Sequence, residues 1–191
     1  MGVMHFDFMS DKLGYQTNIY VILPQCMEKG QAPKGILYLL HGGGGGGLDW
    51  MRNTAIERYA QPYELAVIMP EVDGSCFYAD MKHGYPYFQY LTEEVPAAME
   101  GMLPLLQGVE KRYVAGLSMG GYGAFYAALK CPGQYAGAFS YSGCLDIGAM
   151  YERLSKKDMF TVFGTRQQLD AGDYDLKKFI NIDGASDVDK S

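Results

Sequence analysis

A serine at position 118 is the residue of this sequence best placed to do chemistry. It is the centre of Gly116-Leu117-Ser118-Met119-Gly120, a G-x-S-x-G pattern between an apolar run and a segment of helical character. On a sharp strand-to-helix turn, the flanking glycines let the helix pack against the strand, and the serine Oγ is exposed. The N–H of Met119 is then an unpaired donor at a helix N-terminus, where negative charge is favoured. The pattern predicts nucleophilic attack on a carbonyl, with an oxyanion forming beside Met119.

A second glycine-rich segment supplies another part of the same predicted site. His41-Gly42-Gly43-Gly44 directly follows the apolar run Gly35–Leu40. It matches the H-G-G-G type of loop, which donates a further backbone N–H to an oxyanion. We take Gly43 as the candidate donor because it follows the His-Gly step. Such a donor typically contributes about 3–4 kcal/mol of transition-state stabilisation.

The glycine run at positions 42–47 also fits other functions. It satisfies G-x-G-x-x-G after a strand, with Glu64 about twenty residues further on, as in a dinucleotide-binding turn. Six consecutive glycines, however, satisfy any glycine pattern. A Walker loop is excluded, because Leu48 and Asp49 stand where it requires Lys and Ser or Thr. The remaining alternative is a flexible surface loop that orders only around a ligand, since each ordered glycine costs roughly 0.5–1 kcal/mol relative to alanine.

Strands and helices alternate along the chain and must position these residues. Runs at 3–9 and 15–23 predict an antiparallel pair, and further strands are predicted over 35–40, 65–69, 113–117 and 136–141. Helices are predicted over 54–60, 87–106, 119–130 and 147–156, with Pro96 and Pro104 interrupting the second. This order predicts an α/β fold with a mostly parallel sheet and helices on both faces. Ligands of such sheets bind at the carboxyl ends of the strands.

Composition limits the class of protein. The 191 residues, 48% of them hydrophobic, predict one globular domain over 1–191, and a net charge of −6 disfavours a nucleic-acid partner. No membrane span or export signal is expected, because no apolar run approaches about 18 residues. The sequence has no C-x-x-C pair, which favours reduced thiols in the cytoplasm and predicts neither a metal nor a cofactor. The cysteines are Cys26, Cys76, Cys131 and Cys144.

Further short motifs accompany the two glycine-rich turns. In chain order they are Leu39-Leu40-His41-Gly42-Gly43, Asp49-Trp50, Asp73-Gly74, Phe77-Tyr78-Ala79-Asp80, Glu93-Glu94-Val95-Pro96 and the segment 116–124. From about position 3 to 180 the sequence resembles the Putative esterase family of α/β-hydrolases. That family contains tributyrin esterase, feruloyl and acetyl-xylan esterases, S-formylglutathione hydrolase and the mycolyltransferases.

The resemblance implies an α/β-hydrolase fold and a serine carboxylesterase that acts on small acyl esters without a cofactor. In the role it implies, Ser118 attacks the ester carbonyl, and the N–H groups of Gly43 and Met119 hold the oxyanion. The small-molecule ester is the partner that this activity requires.

The histidines depart from the family pattern. In such hydrolases the acid and the histidine follow the nucleophile, whereas His5, His41 and His83 all precede Ser118. Family members carry that acid and histidine after two further strands. We therefore expect the last strands of the domain to be missing and the chain alone to be nearly inactive. A sheet edge left unpaired would favour association.

Several alternatives stay open at this point. A non-catalytic module that binds an acyl or glycosyl ligand is consistent with the missing base. An acyltransferase of the same family is consistent with the rest of the site. His83 is a candidate substitute base, whereas we interpret His41 as a structural residue of the loop and His5 as a half-buried strand residue. The aromatic residues of the segment 77–90 fit either core packing or an acyl-binding wall.

Overall fold

A mixed sheet lies at the centre of the chain, for which a computed structural model describes residues 2–180. In this part of the chain the strands are β1 (Gly2–Met9), β2 (Gln16–Leu23), β3 (Gly35–Leu40), β4 (Leu65–Pro70), β5 (Arg112–Leu117) and β6 (Gly137–Tyr141). Their spatial order is β1-β2-β4-β3-β5-β6. The antiparallel pair β1–β2 joins β4 in antiparallel register, while β4, β3, β5 and β6 run parallel. The six predicted strands are thus confirmed; residues 1 and 181–191 of the predicted 1–191 domain lie outside the described residues.

Helices cover both faces of the sheet, as predicted. They are α1 (Gln25–Glu28), α2 (Asp49–Asn53), α3 (Ile56–Ala60), α4 (Tyr87–Gln89), α5 (Val95–Met102), α6 (Met119–Lys130), α7 (Ile147–Arg153), α8 (Lys156–Phe163) and α9 (Arg166–Ala171). Side chains alternate along each strand, so one face of β3 packs with α5 and α6 in the larger core and the other packs with α2 and α3. This arrangement places the start of α6 beside the end of β3.

The predicted helix over 87–106 is interrupted at only one of its two prolines. A π-helical turn, Tyr90–Glu94, connects α4 to α5, and Pro96 lies in the first turn of α5 without ending the helix. Pro96 has no N–H to offer the carbonyl of Thr92, which accepts instead from Nε2 of Gln134 at 2.8 Å. The break occurs after Met102, and a short 3₁₀ turn begins at Pro104.

Two other predicted helices have different boundaries in the structure. The helix expected over 54–60 begins at Ile56, because Thr54 has extended backbone and closes the separate helix α2. The helix expected over 147–156 ends at Arg153, and Ser155 caps α8 by accepting from the N–H of Asp158 at 3.3 Å. The sequence analysis predicted neither α8 nor α9.

Candidate active site

Ser118 occupies the tight turn between β5 and α6 that the sequence predicts. Its backbone has φ 53° and ψ −112°, a conformation that a non-glycine residue rarely adopts. The Ser118 N–H donates to the carbonyl of Tyr141 at 2.8 Å, and its own carbonyl accepts from the N–H of Tyr122 at 3.1 Å. These bonds hold the strained residue between β6 and the first turn of α6. The side chain is half-buried and is therefore within reach of solvent.

The flanking glycines are required by close backbone contacts. A Cβ on Gly116 would overlap the carbonyl of Gly120. A Cβ on Gly120 would lie 2.5 Å from the carbonyl oxygen of Leu40 and 2.6 Å from that of His41. Both distances are shorter than real Cβ contacts, so α6 approaches the end of β3 only because residue 120 has no side chain.

The glycine loop after β3 is ordered by hydrogen bonds within the chain. Each N–H from position 44 to position 47 has an acceptor: Gly44 donates to the carbonyl of Gly74 (2.9 Å), Gly45 to that of Gly42 (3.2 Å), Gly46 to Oδ2 of Asp49 (3.1 Å) and Gly47 to Oε2 of Glu71 (2.7 Å). These hydrogen bonds favour an ordered loop over the flexible-loop alternative. A dinucleotide is disfavoured too, since these N–H groups are occupied and two carboxylates face the loop.

The N–H of Gly43 differs from the four that follow it. The carbonyl of Gly42 accepts from Nδ1 of His41 at 2.9 Å and from the N–H of Gly45 at 3.2 Å. Across a planar trans peptide, the N–H of Gly43 points away from those two donors. Among the residues that the structure describes, this N–H has no acceptor, and neither has the N–H of Met119, the first residue of α6.

The two glycine-rich turns meet at Ser118. A Cβ placed on Gly42 would lie 3.7 Å from Cβ of Ser118, and one on Gly43 would lie 3.9 Å from Cβ of Met119. The structure thus brings together the three residues that the sequence analysis singled out, Ser118, Met119 and Gly43. A half-buried hydroxyl with two unpaired N–H groups nearby is an arrangement that can bind a carbonyl oxygen and stabilise negative charge on it.

His41 is fully occupied by structural hydrogen bonds. It is buried, its Nδ1 bonds to the carbonyl of Gly42, and its Nε2 accepts from the N–H of Val72 at 3.3 Å. The neutral tautomer with the proton on Nδ1 satisfies both bonds. This agrees with the structural role that the sequence suggested for His41.

The side chains of the other two histidines contact residues other than Ser118. His83 is exposed and stacks on Phe160, with ring centroids 4.8 Å apart. His5 lies on β1 and is exposed, so its interpretation as half-buried is wrong; its Nε2 contacts Oδ1 of Asn18 at 2.6 Å. Within residues 2–180 no histidine contacts the Ser118 hydroxyl, so the structure gives no support to His83 as a substitute base.

The side chain that does contact the Ser118 hydroxyl is Cys144, which sequence reasoning missed. Its Sγ lies 3.8 Å from Oγ, and its N–H donates to the carbonyl of Ser118 at 3.3 Å. No local pattern marks this cysteine, because it follows β6 and reaches Ser118 only through the pairing of β5 with β6.

The aromatic segment 77–90 belongs mostly to the core. Phe77, Tyr78, Tyr87 and Tyr90 are buried, whereas Tyr85 is 48% exposed. Burial raises the pKa of the Tyr78 and Tyr90 phenols, so both remain neutral. Core packing is therefore the better interpretation of this segment.

Two cavities of the structure do not include the residues of this site. A groove of about 880 Å³ follows the sheet face between α3 and β6, with Trp50 and Tyr141 in edge-to-face contact among its walls. Another, of about 480 Å³, lies at α7 and α9 among charged side chains that pair with one another, such as Arg166 and Glu152. Neither is lined by Ser118 or Gly43.

Metal-binding clusters and membrane-spanning helices are absent from residues 2–180. No group of three or more His, Cys, Asp or Glu side chains there is arranged to hold a metal ion. No helix in that range has the length and apolar character needed to cross a membrane. The four cysteines are unpaired thiols.

Comparison with known sequences gives consistent likenesses. The model of the family described as Putative esterase matches residues 10–173. An acetyl esterase of Caldicellulosiruptor saccharolyticus is 33% identical over 155 residues, which cover 77% of this chain and 58% of that protein. An S-formylglutathione hydrolase of Bos taurus is 27% identical over 159 residues, covering 72% of this chain and 55% of that protein. The chain thus spans a little over half the length of the curated relatives it matches.

Solved structures give the same result for the fold. The substrate-bound fluorophosphonate-binding serine hydrolase F (FphF) of Staphylococcus aureus superimposes with a TM-score of 0.84 at 30% identity, over 97% of this chain and 74% of that one. The S-formylglutathione hydrolase FrmB of the same organism gives a TM-score of 0.80 at 30% identity, over 97% and 75% of the two chains. These likenesses confirm the α/β-hydrolase fold that the sequence motifs implied.

Proposed function

Because this chain belongs to the Putative esterase family, we propose that it is a serine carboxylesterase that hydrolyses small acyl esters through an acyl-enzyme on Ser118. The observation that carries the proposal is the pairing of Ser118 with two unpaired N–H groups, those of Gly43 and Met119, from separate loops. The acetyl esterase and S-formylglutathione hydrolase likenesses support a small acyl group. No cofactor enters the proposed reaction.

The acylation step follows from this geometry. Oγ of Ser118 loses its proton to solvent and forms a bond to the ester carbonyl carbon, and the carbonyl π electrons move onto oxygen. The N–H groups of Gly43 and Met119 stabilise this oxyanion, and the positive end of α6 adds to their effect. When the carbon–oxygen double bond re-forms, the alkoxide leaves and Ser118 carries the acyl group. Water then attacks the acyl-enzyme through a second oxyanion at the same N–H groups and releases the acid.

Removal of the Ser118 proton is the demanding part of this reaction. A serine hydroxyl is a weak nucleophile at neutral pH without a base, and no histidine of the described residues contacts Oγ. We therefore expect the turnover rate of this chain to be lower than that of a site with a complete triad, by a factor of up to about 10⁶. Esters with good leaving groups, such as p-nitrophenyl esters, react fastest because their alkoxide needs no proton to depart.

A second candidate function is ligand binding without turnover. The observation in its favour is the absence, within residues 2–180, of a histidine next to Ser118. The ordered glycine loop and the accessible hydroxyl fit such a binding module equally well. An acyltransferase of the same fold is a further proposal, because access to the acyl-enzyme decides whether water or another hydroxyl attacks it.

Turnover of p-nitrophenyl acetate and butyrate tests the proposal. We expect the wild-type chain to release p-nitrophenolate faster than Ser118→Ala does. Ser142→Ala is the matched control, because Ser142 also has a positive φ, 50°, and directly follows β6. It should keep the wild-type rate. Equal rates for the wild type and Ser118→Ala contradict the esterase, and saturable ester binding without turnover supports the binding module.

The compartment and the partners of the protein are inferred from its composition and its unpaired thiols. Unpaired cysteines are usual in a reducing compartment, so we place the protein in the cytoplasm. Its proposed partner is the small ester alone: the net charge of −6 disfavours a nucleic acid, and no apolar run is long enough to suggest a membrane span.

A further inference from the structure

Tyr78 connects the glycine loop to helix α6 from inside the core. Its side chain is fully buried, and its hydroxyl donates to the carbonyl oxygen of His41 at 3.2 Å. The Tyr78 ring lies edge-on to the His41 ring, with centroids 6.0 Å apart. It also packs directly on α6, where a Cβ on Gly123 would lie 2.6 Å from ring atom Cδ2. One side chain therefore contacts both elements that supply the unpaired N–H groups.

The bond to His41 fixes the peptide on which the loop geometry depends. The carbonyl oxygen of His41 accepts from the Tyr78 hydroxyl, and it would lie 2.6 Å from a Cβ on Gly120. The next carbonyl, that of Gly42, is held by Nδ1 of His41. With these carbonyls held, the trans peptide between Gly42 and Gly43 has one orientation, and the N–H of Gly43 points away from the Gly42 carbonyl.

The backbone at Tyr78 is strained, which indicates that its position is imposed by the surroundings. Phe77 and Tyr78 are consecutive non-glycine residues with positive φ, 52° and 53°. Such conformations persist only where contacts over-determine them, and they concentrate at functional sites. Burial raises the pKa of the Tyr78 phenol well above its usual value, so the hydroxyl keeps its proton and can donate at any working pH.

We infer that Tyr78 is a positioning residue for the oxyanion: by holding the carbonyl of His41, it aims the N–H of Gly43 at the site where Ser118 forms the tetrahedral intermediate. This inference rests on the proposed function. It assigns to a core tyrosine a contribution to transition-state stabilisation, and not only to stability. Tyr78 touches no substrate, and its effect passes through His41 and Gly43.

Tyr78→Phe tests the inference, since it removes the hydroxyl and keeps the ring. The matched control is Tyr122→Phe. Tyr122 is equally buried, and its hydroxyl donates to the carbonyl of Tyr174 at 2.6 Å, a residue outside the glycine loop. Both variants lose one buried hydrogen bond of a tyrosine, so a merely structural effect should be similar in the two.

The first readout is binding of phenylboronic acid. Boron gains Oγ of Ser118 as its fourth ligand, one proton is released to solvent, and an oxygen of the charged boronate occupies the oxyanion position. Trp50, the single tryptophan, donates Nε1–H to the carbonyl of Leu40 at 3.0 Å and reports binding by its fluorescence. We expect Tyr78→Phe to raise the dissociation constant about tenfold, the effect of one misplaced hydrogen bond. Tyr122→Phe should leave it unchanged.

The second readout is hydrolysis of p-nitrophenyl butyrate. Tyr78→Phe should lower kcat by about tenfold with KM little changed, because an oxyanion donor acts in the transition state and not on the bound ester. Tyr122→Phe should alter neither constant. If Tyr78→Phe matches Tyr122→Phe in boronate binding and in kcat, the inference is overturned.

A third readout separates this inference from the proposed function. If the wild type neither binds the boronate nor outpaces Ser118→Ala, the esterase proposal fails, and hydrogen exchange of the loop amides then decides about Tyr78. We expect the N–H groups at positions 44 and 45, which are both hydrogen-bonded to backbone carbonyls, to exchange faster in Tyr78→Phe than in Tyr122→Phe. Equal exchange in the two variants would show that Tyr78 does not position the loop.

Discussion

The Sγ atom of Cys144 lies 3.8 Å from the Oγ atom of Ser118. The backbone joins the same two residues, because the N–H of Cys144 donates to the carbonyl of Ser118 at 3.3 Å. The thiol therefore lies next to the atom that an ester carbonyl must reach. A group attached to this sulfur would compete with the substrate for the space beside that atom.

Alkylation of Cys144 should therefore block reaction at Ser118. Treatment with iodoacetamide adds a carboxamidomethyl group next to Oγ, and we expect p-nitrophenyl butyrate turnover to fall at least about tenfold. Cys144→Ala should remain active and become insensitive to the reagent. Mass spectrometry of the labelled peptides identifies the thiol that reacts.

Cys131→Ala is the control for this prediction. Cys26 and Cys76 are buried, whereas Cys131 is half-buried like Cys144, and burial raises the pKa of its thiol. Cys131→Ala should retain full sensitivity to iodoacetamide. Loss of turnover in alkylated Cys144→Ala would place the sensitive group elsewhere and refute the prediction.

Gly120, in α6, should tolerate no side chain, whereas Gly101, in α5, should tolerate one. A Cβ on Gly120 would press on the carbonyls of Leu40 and His41, so Gly120→Ala should destabilise the fold by roughly 1–3 kcal/mol. Gly101, in α5, has nothing within 4 Å of its would-be Cβ. Gly101→Ala should be stabilising by roughly 0.5–1 kcal/mol, since alanine restricts the unfolded chain and favours helix. Urea unfolding measures both, and equal stabilities of the two variants would contradict the close approach of α6 to β3.

The parts of the site that could be predicted from sequence are those with local causes. Gly116 and Gly120 flank the nucleophile because backbone atoms meet there, and this requirement is visible as a pattern five residues long. Apolar runs likewise predict the six strands found in residues 2–180. His41 was assigned a structural role, which its two hydrogen bonds now explain.

The parts that escaped prediction depend on contacts between distant residues. Cys144 approaches Ser118 through strand pairing, and Tyr78 reaches the carbonyl of His41 across 37 positions of sequence. Helices of six to eight residues are marginal by themselves, so α8 and α9 owe their existence to packing. Their caps were nevertheless readable: Thr165 and Gln168 form a capping box.

Glu71 should control the order of the glycine loop through its carboxylate. Its Oε2 accepts from the N–H of Gly47 at 2.7 Å, and a buried or half-buried hydrogen bond to a charged acceptor contributes about 1.5–3 kcal/mol. Glu71→Ala should accelerate hydrogen exchange at positions 44–47 and lower kcat severalfold. Glu71→Gln keeps an acceptor oxygen and should stay closer to the wild type. Identical exchange in the wild type and Glu71→Ala would show that the loop is held without this carboxylate.

The apolar face at β6 should cause the chain to associate. Phe139 and Tyr141 are 52% and 53% exposed; they lie on the same sheet face as α2 and α3, in the part that these helices do not cover. Within residues 2–180, β6 pairs with β5 alone. β6 carries neither a charged residue nor a proline that would oppose edge-to-edge pairing. We expect dimers or larger species to form between about 1 and 100 µM, as measured by sedimentation velocity.

Phe139→Lys should shift this equilibrium towards monomer, because a charge on the apolar face opposes its burial. Met102→Lys provides the matched control, since Met102 is 41% exposed at the end of α5, away from the sheet edge. It should associate like the wild type. A wild-type chain that sediments as a monomer at about 100 µM would mean that the exposed face and the unpaired edge are too weakly attractive to bring two copies together.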